Sequence, residues 1–117
     1  MDEAKKMALI AVEALEEKKA EEISVLNISH ISTLGDYFII ANGVNRNQIQ
    51  AMADNVEEAL GRAGYEPKHI EGYRTANWIL LDFKDVIIHV FGKQDRDFYD
   101  LEHIWKDGIP VTKEDLM

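Results

Sequence analysis

Asn77-Trp78-Ile79-Leu80-Leu81-Asp82-Phe83-Lys84-Asp85-Val86-Ile87-Ile88-His89-Val90-Phe91 is the stretch that decides the fold. It reads as two apolar strands, Asn77 to Asp82 and Asp85 to Phe91, and a Phe83-Lys84 linker this short calls for an antiparallel hairpin. Side chains alternate along a strand, so Trp78, Leu80 and Asp82 share one face while Ile79, Leu81 and Phe83 share the other. The face that ends in Asp82 is the one expected to meet solvent or a partner. On the second strand His89 shares a face with Ile87 and Phe91. A lone His between Ile88 and Val90 fits a hydrogen-bonded structural residue better than an acid, a base or a metal ligand. Trp78 is different in kind: an indole on a rigid strand offers much contact area for little entropy loss, and Trp and Tyr dominate binding hot spots. Ordinary core packing is the competing reading of that residue.

Working outward, residues 2 to 19 place Ala8, Ala11, Val12 and Leu15 at i, i+3, i+4 and i+7, which predicts an amphipathic helix with a narrow apolar face. Ile23 to Ile28 is rich in β-branched and aliphatic residues and reads as a strand. Asp36 to Ala41 is a nearly unbroken apolar run, as in a central strand covered on both faces. Asn45 then stands three residues before Gln48, resembling a capping box, and Ile49, Met52, Ala53, Val56, Leu60 and Ala63 recur at helical spacing over 47 to 63. Gly64 is placed to end that helix. Lys68 to Glu71 is a short strand. Downstream of the hairpin, one helix is expected from about Asp95 to Trp105, with Phe98, Leu101, Ile104 and Trp105 inward, and Gly108 and Pro110 closing it. The pattern is α/β: a single domain over 1–117 with a mixed sheet of about five strands flanked by helices.

A chain of 117 residues is a single-domain size, and its 46% hydrophobic and 30% charged residues are those of a globular protein. Thirteen basic against 22 acidic side chains give a net charge of −9. Phosphate backbones need clustered Lys and Arg, so nucleic acid is a poor candidate for a direct ligand. A basic protein partner fits better, through steering by opposite charge, although acidity also serves solubility alone. With no Cys, disulfides and zinc thiolate sites are ruled out. The longest apolar runs are about five residues against the ~20 a membrane helix requires, and the start lacks a signal-peptide pattern. The cytoplasm is the expected location.

Enzymatic signals are weak throughout. Asp82 and Asp85 flank the hairpin turn, where acids usually cap backbone amides, and the local sequence supplies no further oxygen ligands for a cation. Asp97, Asp100 and His103 read as a solvated edge. His30, His69, His89 and His103 have no metal-site spacing, Ser24, Ser29 and Ser32 lack a nucleophile-elbow context, and Gly35 and Gly43 form no phosphate-cradling loop. No metal and no cofactor are expected.

Several segments together resemble the ribosomal silencing factors, also called Iojap-like proteins. They are Asp36-Tyr37-Phe38-Ile39-Ile40-Ala41 with Gly43, Gln48 and Ala53-Asp54-Asn55, Glu71-Gly72, Trp78-Ile79-Leu80-Leu81-Asp82, Asp85-Val86-Ile87-Ile88-His89-Val90-Phe91, and Arg96-Asp97-Phe98-Tyr99-Asp100-Leu101-Glu102 leading to Trp105. Their order and spacing extend over nearly the whole chain.

The resemblance implies a nucleotidyltransferase-like fold without the activity, and usually a homodimer in isolation. It also implies binding to the large ribosomal subunit through ribosomal protein fourteen, which blocks joining of the small subunit when nutrients are scarce. A nucleotidyltransferase of this type would need a Gly-Ser turn followed by an Asp-x-Asp pair to hold two metals. Leu34-Gly35-Asp36 and Asp82-Phe83-Lys84-Asp85 supply neither. Carried onto this chain, Trp78 is the expected anchor, with Leu80 beside it and Asp82, Glu71 and Glu102 facing basic groups. Tyr73, Arg74 and His89 are further contact candidates. Two positions depart from the family pattern: Asn47 stands where Arg is frequent before Gln48, with Arg46 displaced by one, and Lys84 stands where Gly is frequent in the turn, so the turn type is expected to differ. A nucleotide-binding or nucleotidyl-transferring enzyme, and a dimeric scaffold unrelated to ribosomes, are the alternatives.

Overall fold

The structure, a computed structural model, describes residues 3–33 and 35–117, and of Ile104 the backbone alone. The expected roles of Asp2, Leu34 and the Ile104 side chain therefore fall outside the described residues. In chain order the elements are α1 (Glu3–Glu17), β1 (Glu21–Asn27), β2 (Tyr37–Gly43), α2 (Arg46–Arg62), β3 (His69–Glu71), β4 (Trp78–Asp82), β5 (Val86–Gly92), α3 (Lys93–Tyr99), α4 (Leu101–Ile104), β6 (Ile109–Val111) and α5 (Lys113–Leu116). The sheet has six strands in the order β3-β4-β5-β2-β1-β6. β2 and β5 run parallel at its centre and all other pairs are antiparallel.

The main core lies between one face of this sheet and the pair α1 and α2. Ala4, Ala8 and Ala11 keep the α1 face narrow, so the helix sits close, and Leu15, Val56 and Leu60 fill the space against Ile39, Ile79 and Ile88. Asn55 Nδ2 donates to the carbonyl of Ala14 at 2.8 Å and ties the two helices together. The capping expected at Asn45 is present: its Oδ1 accepts from Gln48 N at 2.8 Å. Gln48 does more, since its Oε1 accepts from Val44 N at 2.6 Å while its Nε2 donates to the carbonyls of Lys18 and Lys19, both at 3.0 Å. The start of α2 is thereby fastened to the turn after α1.

Three expectations change. The sixth strand, β6, pairs with β1 beyond Gly108, where three residues are too few to give a readable alternation. The last helix is not continuous: Asp100, with φ of 48°, breaks it into α3 and α4. That break turns Phe98 outward to 81% exposure, against the inward placement expected for it. Lys84 keeps a left-handed backbone, φ 71°, so the conformation that favours glycine is retained with a lysine. Asp82 Oδ1 supports it by accepting from Lys84 N at 2.8 Å, which is the capping role read for this acid.

An aromatic face of the sheet as candidate functional site

Residues paired across neighbouring strands project to the same side of a sheet, so the register lays out the face opposite α1 and α2 row by row. Trp78 lies beside Phe91 and then Asn42; Glu71 beside Leu80, His89 and Ile40; His69 beside Asp82, Ile87 and Phe38. Ile79, Leu81 and Phe83 are buried against the helices, whereas Trp78, Leu80 and Asp82 are half-buried. The side that ends in Asp82 is the outward one, as its alternation implied.

At one edge of this face the Trp78 ring stacks on Phe91, with centroids 5.1 Å apart and 29° between planes, and Tyr99 of α3 lies 4.8 Å from it. Tyr99 and Phe98 are both exposed and meet edge to face, so four rings form one continuous aromatic rim. Toward the middle, Leu80 and Trp105 lean on a small second core of Leu26, Ile28, Phe38 and Ile87, with Trp105 at 5.0 Å from Phe38. Glu71 Oε2 and His69 Nε2 are 2.9 Å apart at the open end of the sheet.

Two residues fix this geometry from behind. Gly72 has φ of 79°, and a Cβ placed on it would stand 2.1 Å from the Trp78 carbonyl oxygen. Only glycine lets the chain pass there, which gives the Glu71-Gly72 pair a structural meaning. Arg96 is 6% exposed and carries the other half. Its Nε and Nη2 donate to the two carboxylate oxygens of Glu102 at 3.2 and 2.9 Å, and its Nη1 donates to Asn42 Oδ1 at 2.8 Å and to the Glu22 carbonyl. Asn42 in turn donates to Glu21 Oε1 at 3.1 Å. A bidentate guanidinium thus clamps both sides of the Asp100 break onto the sheet, which holds Tyr99 against Trp78. Lys93 donates to Glu22 at 2.6 Å and keeps that carboxyl below its ordinary pKa.

His89 lies under the rim, 5% exposed. Its Nδ1 accepts the indole N–H of Trp78 at 3.0 Å, while its Nε2 is buried without a hydrogen-bond partner among the described residues. Burial lowers its pKa from 6.5 to about 4, so the ring is neutral near pH 7.

A family model described as "Ribosomal silencing factor during starvation" matches residues 1–117. The chain belongs to the ribosomal silencing factor family. A ribosomal silencing factor of Halalkalibacterium halodurans is 40% identical over 108 residues, covering 92% of this chain and 92% of that protein. One of Bacillus subtilis is 39% identical over 104 residues, 89% of this chain and 88% of that protein. The crystal structure of a Chromobacterium violaceum protein superposes with a TM-score of 0.88 at 34% identity, covering 90% of this chain and 88% of that chain. The family is regulatory by name, not enzymatic, and its name implies association with ribosomes.

Within this silencing factor the residues singled out from sequence divide into groups. Trp78, Leu80, Asp82 and Glu71 share the aromatic face. Glu102 is drawn into the Arg96 clamp, so its carboxylate is already paired inside the chain instead of standing free for a basic partner. His89 is too enclosed for direct contact and instead touches Trp78. Tyr73 belongs elsewhere: its hydroxyl donates to Asp54 of α2 at 3.0 Å, which raises its pKa, and its carbonyl accepts from Gln50. Arg74 is exposed in the same loop. Tyr99, Phe98 and Arg96 were missed as site residues. A lone Arg inside Asp95-Arg96-Asp97, six residues before Glu102, was the available signal, but a continuous helix would not have brought that pair together across a break.

A cleft of about 640 Å³ opens at the carboxyl ends of β2 and β5, between Gly43, Arg46, Thr75, Asn77, Gly92 and Lys93. Asp82 and Asp85 stand at the opposite end of the hairpin, and among the described residues no three His, Asp or Glu side chains converge as a metal site. Among the same residues no helix is long and apolar enough to cross a membrane.

Proposed function

We propose that this silencing factor docks through its aromatic face on ribosomal protein fourteen of the large subunit, and that its bulk there keeps the small subunit from joining. The observation that carries the reading is Trp78, half-exposed on a rigid strand, stacked on Phe91 with Tyr99 tilted against it, with Leu80 beside it and Asp82 and Glu71 at the border. A preorganised aromatic anchor with carboxylates around it suits a basic protein surface, and the net charge of −9 favours the encounter. Repression then follows occupancy: the fraction of blocked subunits depends on concentration relative to the dissociation constant. When free, the chain pairs with a second copy, and it works in the cytoplasm where the subunits meet. Arg74 lies outside this face and contributes charge at its margin.

Sucrose-gradient sedimentation of mixed large and small subunits tests the reading. Saturating protein should abolish whole-ribosome formation, and Trp78→Ala should weaken the block by about 30-fold, the effect of losing an anchor worth ~2 kcal/mol. Unchanged formation of whole ribosomes with the wild-type chain would overturn subunit blocking. A Trp78→Ala protein that is folded and fully active would overturn the choice of face.

A further inference from the structure

Trp78 has a donor and no acceptor on its ring, so the 3.0 Å contact between its Nε1 and His89 Nδ1 fixes the histidine as the Nε2–H tautomer. That tautomer leaves a buried N–H with no acceptor among the described residues. Around it are Phe38 at 4.7 Å, Phe91 at 6.2 Å and the Trp78 ring at 5.8 Å between centroids, none of which accepts a conventional hydrogen bond. An orphaned buried donor destabilises a fold, and an apolar ring would not carry that penalty. Phenylalanine at this position among Phe38, Ile87 and Phe91 would carry no unpaired donor, its somewhat larger ring being the only added demand on packing. The histidine is therefore at a position where its one useful atom is Nδ1, and the group that atom serves is the indole of the docking anchor.

We propose that His89 is a positioning residue that aims Trp78: it holds the indole in the docking orientation at the expense of fold stability. The inference rests on the docking role of Trp78 given above and adds what sets that ring before a partner arrives. Without the Nδ1 acceptor the indole N–H would turn to solvent, because Trp78 is only half-buried, and its ordering would then fall to the binding step. Phe91 and Tyr99 restrain the ring's plane, but a stack leaves it free to slide and rotate in that plane. A directed hydrogen bond removes that freedom.

The test compares His89→Phe, which keeps the ring and removes the acceptor, with His89→Asn, whose Oδ1 restores an acceptor near the Nδ1 position. Three readouts are taken on the full chain: thermal unfolding, solvent exchange of the two indole N–H signals by NMR, and co-sedimentation with purified large ribosomal subunits. His89→Phe should unfold at the same temperature as wild type or higher, exchange the Trp78 indole proton faster, and bind subunits about five- to tenfold more weakly, the effect of one hydrogen bond. His89→Asn should recover slow indole exchange and most of the binding. Unchanged indole exchange in His89→Phe, or a fall in its unfolding temperature matching the loss of binding, would overturn the positioning role. If His89→Phe frees the indole while both it and Trp78→Ala bind subunits as wild type, the docking reading fails and the positioning role in docking falls with it. Weakened binding by Trp78→Ala beside normal binding by His89→Phe would overturn positioning alone.

Discussion

Replacing Arg96 by Ala isolates the device that gives the aromatic rim its shape. Asn42 is fully buried, and losing the guanidinium leaves its Oδ1 without a donor, an effect of about 1–3 kcal/mol. Glu102 loses two charge-assisted bonds, but its side chain is 39% exposed and water takes up much of the loss, so this contribution is nearer ~1 kcal/mol. The buried aliphatic stem adds a packing loss of roughly the same size. The total expected is about 3–5 kcal/mol, the range for breaking a buried ion pair. In a domain of this size each kcal/mol moves the midpoint by about 4 °C, so Tm should fall by roughly 12–20 °C. Urea unfolding monitored by circular dichroism measures the loss. A double-mutant cycle with Asn42→Ala should return a coupling of at least ~1 kcal/mol, since the two groups share one bond. Arg96→Lys should recover little, because an ammonium cannot reproduce the bidentate fork. A loss below ~1 kcal/mol in Arg96→Ala, or additive behaviour in the cycle, would refute the clamp.

Two further outcomes follow from the same geometry. Gly72→Ala should destabilise the protein by about 2–3 kcal/mol and disturb the near-ultraviolet signal of Trp78, because its Cβ would overlap the Trp78 carbonyl at a positive φ; native-like stability and spectrum would show that the loop moves aside freely. His89 is neutral when folded with a pKa of about 4, against 6.5 when unfolded, so the unfolded state binds more protons between these values and stability falls as pH drops from 6.5 toward 4. That single group should account for up to ~3 kcal/mol of the decline, read as the difference between wild type and His89→Phe in urea titrations at pH 7 and pH 4; parallel curves would remove His89 from the acid response.

Period and composition carried far in this chain. The apolar alternation in 77–82 and 85–91 gave the hairpin and the correct outward side of Trp78, because a strand's side chains alternate whatever its surroundings. The helical spacing in 47–63 and the Asn45 cap were equally local and equally legible. Expected contact residues fared less evenly: Trp78, Leu80, Asp82 and Glu71 came together, while Tyr73 turned to α2 and Glu102 to Arg96. Each of those diversions is a bond between segments distant in sequence or separated by an unforeseen break.

By itself, then, the amino-acid order determined the longer elements with their amphipathic faces, the absence of thiol chemistry and the family resemblance, while the three-residue β6 and the break at Asp100 escaped it. Which polar groups distant in sequence would satisfy one another was decided only by tertiary structure. Arg96 finds Asn42 because β2 is central and α3 folds back over its end, and His89 meets Trp78 because adjacent strands place them on one face. Buried donors and acceptors must find partners in three dimensions, and a left-handed Asp100 or a glycine pressed against a carbonyl changes which ones are within reach.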